Sequence, residues 1–194
     1  MNKFWLPLSV LWLMCSSCQT DFRTLEPFSE GGIHAVIEMP AGTDLWFKYE
    51  SSSGKILPIM EANKQKALDF LPFPANFGFI PGTNDYDMEG SVPLKVLVLG
   101  SYLSTGTIVE AQLIGVLNIR ERGLENKFLI ASPLGRGKQA KIKDFRDFLL
   151  NQDAVKRLLE EWFVHYQGLP DTQILGWQDE KAAMDLIEQS RMPD

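Results

Sequence analysis

The stretch that decides the fold is "EGSVPLKVLVLG", residues 89–100. Its apolar run from Val96 to Leu99 ends at a glycine, and a short apolar run bounded in this way is typical of a buried β-strand. Lys95 stands at the start of the run, and no acidic residue separates Glu89 from Glu110. Considered alone, such a lysine usually packs its stem on the sheet and extends its ammonium group into water. The stretch therefore predicts a core strand with an unexplained cation at its beginning.

The segments on either side of this strand predict a mainly β fold. They are rich in β-branched and aromatic residues, and turns that contain glycine or proline separate them. The clearest are "IHAVIEMP" (33–40), "LWFKYE" (45–50), "TIVEAQLIGVLNI" (107–119) and "KFLIAS" (127–132). We expect these segments to form a twisted, largely antiparallel barrel.

After Pro133 the apolar spacing becomes helical, with two stripes and then an amphipathic segment from Glu180 to Arg191. Asp153 stands before the second stripe and is the expected N-cap of its helix. The stripes are Ile142, Phe145, Phe148 and Leu149, and then Val155, Leu158, Leu159, Trp162 and Phe163. The fold class predicted from the whole pattern is α+β, mainly β, with helices near the C-terminus packed against a small barrel.

Composition favours one globular domain with short appendages. The chain has 194 residues, of which 45% are hydrophobic and 23% are charged, a size and balance that suit one hydrophobic core. Its formal net charge of −6 argues against nucleic acid as a partner, because binding to phosphate backbones requires an excess of basic side chains.

The first eighteen residues, "MNKFWLPLSVLWLMCSSC", have the organisation of a secretory signal. Lys3 supplies the positive charge, and the apolar core that follows is too short to span a bilayer comfortably. The segment resembles a bacterial lipoprotein signal, which predicts a signal peptide at 1–17, a lipidated Cys18, a tether at 18–32 and a folded domain at 33–194. An uncleaved N-terminal anchor is the alternative. The lipoprotein interpretation predicts export to the bacterial cell envelope, with a lipid anchor in the outer membrane and the domain on its periplasmic side.

Eight stretches, taken in order, resemble the family I soluble inorganic pyrophosphatases. They are "AVIEMPAG" (35–42), "KYE" (48–50), "FPANFGFIP" (73–81), "VPLKVLVLG" (92–100), "GVLNI" (115–119), "ENKFLIASP" (125–133), "FVHYQ" (163–167) and "GW" (176–177). The resemblance implies an OB-type five-stranded β-barrel with flanking helices. It also implies Mg²⁺-dependent hydrolysis of pyrophosphate to two phosphates, and self-association, because members of the family form dimers or hexamers.

The resemblance assigns an outer set of site residues. By position, the phosphate-binding residues are Lys48, Lys127 and Tyr166. The carboxylates that correspond to metal ligands are Glu38, Glu50, Glu121 and Glu125. Clustered carboxylates suit this chemistry because they hold hard cations that neutralise the substrate and lower the pKa of the attacking water.

The centre of the site departs from the family. The family's "DGDPVDVLV" aligns with "GSVPLKVLV", so Gly90, Val92 and Lys95 replace its three aspartates. Val92 occupies the general-base position, which leaves the catalytic residue unknown. The family's two tyrosines become Phe73 and Phe77. The family's lysine after its helical tyrosine aligns with Gln167. Lys64 and Lys66 are the candidates for the family's phosphate-binding arginine.

A lysine in place of an aspartate at position 95 changes the electrostatics of the site from attracting a metal ion to repelling it. At an effective dielectric of about 20, unit charges about 4 Å apart interact by roughly 4 kcal/mol, so an ammonium group in place of a carboxylate repels a metal strongly. The ammonium group can itself act as the cation, paired with Glu121 or Glu125. We therefore expect Lys48, Lys95 and Lys127 to bind a phosphate-like anion, with little or no hydrolysis and no certain cofactor.

Two alternatives stay open, so enzymatic activity is uncertain from sequence. Asp85, Asp87 and Glu89 alternate just before the altered strand and could act as relocated metal ligands of an active phosphoanhydride hydrolase. The competing interpretation of that segment is a polar surface loop. The barrel could also be a purely structural or interaction module.

Overall fold

The computed structural model describes residues 21–87, 90–135, 142–166 and 172–192, with the backbone alone at 86–87. Within these residues the chain forms twelve strands, three α-helices and a 3-10 helix at Phe22–Thr24. The strands are β1 (Ile33–Met39), β2 (Phe47–Glu50), β3 (Lys55–Pro58), β4 (Met60–Glu61), β5 (Lys64–Gln65), β6 (Asn76–Phe79), β7 (Asp85–Asp87), β8 (Gly90–Val92), β9 (Lys95–Val98), β10 (Ile108–Glu121), β11 (Leu124–Pro133) and β12 (Gln173–Asp179). The helices are α1 (Phe145–Asn151), α2 (Asp153–His165) and α3 (Glu180–Ser190).

Five strands close into a ring, which confirms the predicted barrel. Their order is β1, β6, β9, β11, β10, and β10 pairs with β1 to complete the circuit. β12 pairs with residues 115–120 of β10, beyond residues 108–111, which pair with β1. β9 and β11 run parallel, while the other neighbours in the ring are antiparallel. The mainly β, largely antiparallel architecture expected from the sequence is therefore present.

Strand β9, the stretch that predicted a core strand, lies between β6 and β11. Val96, Leu97 and Val98 have no exposed surface, because neighbouring strands pair with β9 on both sides and side chains cover both of its faces. Lys95 is the first residue of the strand and is only partly buried. The apolar run thus forms the interior of the ring wall, and the lysine lies where that wall begins.

The two faces of the ring wall pack against different helices. Leu97, Leu117 and Ile130 belong to a core that also contains Phe148, Trp162 and Phe163 of α1 and α2, and we call this side the α2 face. Val96, Val116 and Leu129 belong to the core that contains Ala183 and Ile187, on the α3 face. Since successive strand residues point to opposite faces, residue parity decides which core a side chain joins.

The three helices cover the predicted helical segments, but Ile142 precedes α1, Leu149 and Leu158 are exposed, and one predicted N-cap is wrong. Asp179 caps α3 by accepting a hydrogen bond from the backbone N–H of Ala182 at 3.0 Å. The predicted N-cap Asp153 is instead the first residue of α2, and Gln152 precedes it without a capping side-chain bond. The carboxylate of Asp153 binds Arg157 one turn later at 2.8 Å. This i,i+4 ion pair occupies the side chain that the sequence suggested as a cap.

The segment before β1 packs on the barrel from Asp21 onward. The Phe22 ring lies with its centroid 6.1 Å from those of Tyr49 and Phe79, and Pro27 is buried. The described part of the predicted tether thus contacts the domain. The predicted signal peptide and Cys18 fall outside the described residues. None of the helices in the described segments is long and apolar enough to cross a membrane.

Candidate functional site

The ammonium group of Lys95 lies against strand β11. Lys95 pairs in register with Phe128, and its Nζ lies 5.8 Å from the centroid of the Phe128 ring. The same Nζ donates a hydrogen bond to Oδ1 of Asn126 at 3.1 Å. The head group of Lys95 is therefore held by specific contacts on the α2 face.

Asn126 connects Lys95 to two of the predicted site residues. Its Nδ2 donates to Oε2 of Glu121 at 3.3 Å, and the Tyr166 hydroxyl donates to Oε1 of Glu121 at 2.8 Å. Lys95, Asn126, Glu121 and Tyr166 thus form a hydrogen-bonded chain, which we call the Lys95 chain. Each oxygen of the Glu121 carboxylate accepts one hydrogen bond from it.

Glu125 and Lys127, two other predicted site residues, face away from the Lys95 chain. Side chains alternate between the two faces along β11, so Asn126 shares the α2 face with Phe128 and Ile130. Glu125 and Lys127, which lie at the intervening positions, therefore point to the other side. There Glu125 forms an ion pair with Arg120, its cross-strand partner, at 2.8 Å. Lys127 is exposed to solvent. Of the two carboxylates suggested as partners of Lys95, Glu121 is reached through Asn126, and Glu125 binds Arg120.

Glu38 lies close to two lysines. Its Oε1 accepts a hydrogen bond from the backbone N–H of Tyr49 at 2.5 Å. Burial raises the pKa of Glu38 to about 7, although this hydrogen bond and the positive charges of Lys48 and Lys95 act in the opposite direction. Part of the residue remains accessible, but protein surrounds the carboxyl group closely enough for desolvation to outweigh both lysines. The carboxyl group therefore titrates near neutrality.

A cleft of about 430 Å³ lies between the β2–β3 hairpin and β8, and it is lined by Tyr49, whose backbone N–H binds Glu38. Lys48, Glu50 and Val92 all line it, so the lysine and carboxylate expected from "KYE" face the position expected for the general base. Val92 pairs with Asp85 across the β7–β8 hairpin, and Gly90 pairs with Asp87. Asp85 is partly buried, whereas Glu89 falls outside the described residues.

Phe73 and Phe77 form part of the core beneath the Lys95 chain. They are 1% and 6% exposed, and their ring centroids lie 4.9 Å apart. The Phe77 ring lies 6.2 Å from Phe128 and 5.3 Å from Trp162. Two rings without hydroxyl groups thus extend the apolar packing on the α2 face.

Asn126 is the site residue that the sequence interpretation missed. Strand parity provides the signal, because a residue two positions before a core phenylalanine shares its face. Counting back from Phe128 selects Asn126, and counting forward from Leu117 and Ile119 on β10 selects Glu121.

The closed barrel, helices on both faces, and lysines and carboxylates at the start of β9 define a pyrophosphatase-type architecture. The sequence profile of the family described as "Inorganic pyrophosphatase" matches residues 35–192. The chain therefore belongs to the inorganic pyrophosphatase family.

Individual relatives give the same result. The inorganic pyrophosphatase of Saccharolobus solfataricus is 29% identical over 164 residues, which are 81% of this chain and 89% of the relative. That of Halalkalibacterium halodurans is 30% identical over 165 residues, 81% of this chain and 91% of the relative. The crystal structure of the inorganic pyrophosphatase from Thermus thermophilus matches with a TM-score of 0.72 at 25% identity, covering 88% of this chain and 97% of that one.

The described residues do not fit a site for Mg²⁺, the metal of this family. No group of three or more His, Cys, Asp or Glu side chains within the described ranges is arranged to hold a metal ion. Glu121 accepts hydrogen bonds on both oxygens, Glu125 is paired on the other face, and the ammonium group of Lys95 lies in the same chain as Glu121. A divalent ion requires several convergent oxygen ligands, and these carboxylates do not converge.

Proposed function

We propose that this member of the inorganic pyrophosphatase family binds a phosphate-like anion at Lys48 and Lys95 and has lost pyrophosphate hydrolysis. The observation that carries the proposal is the position of the Lys95 ammonium group, which is hydrogen-bonded to Asn126 and close to Glu38. The resemblance in sequence aligns Lys95 with a metal-binding aspartate. A fixed ammonium group at that position supplies positive charge without a metal.

The charges around Glu38 support anion binding. The positive charges of Lys48 and Lys95 both act on the Glu38 carboxyl group. Because the pKa of Glu38 is about 7, a large fraction of this carboxyl group is neutral at neutral pH. A neutral carboxyl group does not repel an anion and can donate a hydrogen bond to it. The cleft of about 430 Å³ that Lys48 lines is large enough for a small polyanion.

The site in this proposal contains two lysines rather than the three expected from the sequence. Lys127 points to the other face of β11 and is exposed, so it contributes no contact to an anion beside Lys95. Tyr166 belongs to the site through Glu121, and its hydroxyl group is oriented by that carboxylate.

The loss of hydrolysis is inferred from the residue at the general-base position. Hydrolysis needs a group that accepts a proton from the attacking water or a metal that lowers the pKa of that water. Val92, where the resemblance places the general base, lines the cleft and cannot accept a proton. Glu50 also lines the cleft, at a position that the resemblance assigns to a metal ligand. We infer binding without turnover for this reason.

The proposed setting is the bacterial cell envelope, with Cys18 as the lipid-bearing residue after removal of a signal peptide at 1–17. The support is the arrangement of a lysine, a short apolar core and small residues before Cys18. Mass spectrometry of the protein from bacterial membranes tests this setting. A diacylglyceryl adduct on Cys18 is expected, and an unmodified, uncleaved N-terminus would contradict it.

Calorimetry on the full-length chain tests the anion site. Pyrophosphate and orthophosphate are titrated into the wild type, into Lys95→Met, and into Lys181→Met as a control on an exposed face of α3. We expect Lys95→Met to weaken pyrophosphate binding at least tenfold and the control to leave it unchanged. Equal binding by all three proteins, or absence of binding to the wild type, would overturn the proposal.

A second candidate is an active hydrolase with relocated carboxylates. The observation in its favour is the pairing of Asp85 with Val92, which brings a carboxylate residue beside the altered general-base position. Asp87 and Glu89 would complete the set. Release of phosphate from pyrophosphate in Mg²⁺, Mn²⁺ or Zn²⁺, abolished in Asp85→Asn, would establish this function in place of the first. A chain that neither binds nor hydrolyses phosphate compounds would instead be an interaction module.

A further inference from the structure

A second cleft, of about 420 Å³, is lined in part by Tyr166, the last residue of the Lys95 chain. It separates the segment that follows β4 and β5 from the end of α2 and the tip of the β10–β11 hairpin. Its lining includes Trp46, Lys66, Phe70, Arg122, His165 and Tyr166, together with the carboxylates Glu61 and Asp69. The anion site described above uses none of the first five.

The walls of this cleft are aromatic. The ring centroids of Trp46 and Tyr166 lie 6.3 Å apart with an angle of 31° between the rings. The indole N–H of Trp46 is covered from solvent and has no hydrogen-bond partner within the described segments. Phe70 is 95% exposed, so both faces of its ring are available at the rim. Phe70 lines the same cleft as Trp46 and Tyr166, and aromatic side chains grouped at an exposed site can stack on the ring of a ligand.

Cationic side chains also line the cleft, and some of them form ion pairs with carboxylates while one does not. Lys66 lies 5.3 Å from the Trp46 ring centroid and binds Glu61 at 3.2 Å, and His165 lies 3.4 Å from Glu161. Arg122 has no carboxylate within ion-pair distance among the described residues. Among the described lining residues, its guanidinium group is the cation with no ion pair to a carboxylate.

The backbone fixes Arg122 at the mouth of the cleft. Arg122 and Gly123 form the two-residue turn between β10 and β11, with φ angles of 51° and 82°. Positive φ at both positions is the requirement of the tight hairpin turn that suits twisted strands, and it is unfavourable for arginine. Local turn chemistry would favour asparagine or glycine at this position, so the arginine is not explained by the turn.

We propose that this second cleft binds a small molecule that combines a planar ring with a phosphate group, as a nucleoside monophosphate does. The ring stacks on Phe70 and the aromatic wall, and the phosphate accepts hydrogen bonds from Arg122. A guanidinium group suits this role because its planar N–H groups match two phosphate oxygens at once. The proposal goes beyond the anion site at Lys95 and does not depend on it.

Calorimetry on the full-length chain with AMP, adenosine and ribose 5-phosphate tests this proposal. AMP carries both features, and each of the other compounds lacks one. We expect AMP to bind at least tenfold more tightly than either. Phe70→Ser and Arg122→Gln are each expected to weaken AMP binding roughly tenfold or more, the usual scale for the loss of base stacking or of a charged contact.

Matched controls come from exposed residues elsewhere. Tyr102→Ser removes an aromatic ring that is 63% exposed, and Arg146→Gln removes an exposed arginine of α1, so both should leave AMP binding unchanged. AMP binding should also persist in Lys95→Met. Absence of AMP binding, or equal binding by wild type, Phe70→Ser and Arg122→Gln, would overturn the proposal. Loss of AMP binding in Lys95→Met would place AMP at the anion site and refute the second cleft while supporting the first.

Discussion

The β10–β11 hairpin presents similar side chains on its two faces and uses them differently. On the α2 face, Glu121 and Asn126 accept and donate hydrogen bonds within the Lys95 chain. On the opposite face, Arg120 and Glu125 form an ion pair whose side chains are 41% and 59% exposed. Exposed pairs of this kind contribute about 0–1 kcal/mol, whereas hydrogen bonds to charged groups out of bulk water contribute about 1.5–3 kcal/mol each.

This difference teaches that strand parity, more than residue type, decides which polar groups form a site. Lys127 and Asn126 are neighbours in sequence. Lys127 has the charge that an anion site needs but is exposed, whereas the side chain of Asn126 points towards Lys95 and binds it. Variants that change one face and spare the other measure how far the comparison holds.

The largest expected effect comes from Phe128→Ala compared with Lys127→Ala. Phe128 packs on Phe163 with ring centroids 4.7 Å apart and on Phe77, so its truncation leaves a cavity in the α2 face core. We expect the free energy of unfolding to fall by about 3–5 kcal/mol. Lys127→Ala should change it by no more than about 0.5 kcal/mol. Urea unfolding measures both, and similar losses in the two variants would refute the assignment of faces.

The second largest effect expected is a dependence of stability on pH that arises from Glu38. Its pKa is raised in the folded protein from 4.5 to about 7, so between these values the folded state binds a proton that the unfolded state has released. The contribution of Glu38 to the free energy of unfolding should therefore be greatest below about pH 4.5. It should decline by up to about 3 kcal/mol as the pH rises towards 7. Unfolding midpoints of the wild type and of Glu38→Gln across this range measure the effect. An identical pH dependence in both proteins would contradict it.

Removing Glu121 from the Lys95 chain should lower the free energy of unfolding by less than truncating Phe128 in the core. In Glu121→Ala the Tyr166 hydroxyl and the Asn126 amide lose their acceptor, and we expect a loss of about 1–3 kcal/mol. Glu125→Ala, on the exposed face, should cost about 0–1 kcal/mol. Thermal unfolding of the two variants beside the wild type provides the measurement. If Glu125→Ala proved the more damaging, the account of the two faces would be wrong.

The barrel was predictable from sequence because its main strands are long enough to show their pattern. β1, β9, β10 and β11 carry continuous or alternating apolar residues, and turns with glycine or proline bound them. The two remaining strands of the main sheet are less distinct. β6 has four residues, all buried, and includes Gly78, while β12 lies at the sheet edge with mostly partly or fully exposed residues. Neither shows a periodicity of its own.

The site was less predictable because it depends on register between strands far apart in sequence. Lys95 and Asn126 are 31 positions apart, and their contact follows from the parallel pairing of β9 with β11. The raised pKa of Glu38 depends on burial that no local pattern reveals. The resemblance drew attention to the altered strand, but it could not specify that Asn126, rather than Lys127, lies on the face of Lys95.

The most direct test of the central claim, that an ammonium group serves in place of a metal, is pyrophosphate binding measured by calorimetry in the presence of EDTA. The full-length wild type is compared with Lys95→Asp, which restores a carboxylate at the altered position. The account predicts that EDTA leaves wild-type binding intact and that Lys95→Asp binds pyrophosphate at least tenfold more weakly. Abolition of wild-type binding by EDTA, with recovery on addition of Mg²⁺, would contradict it.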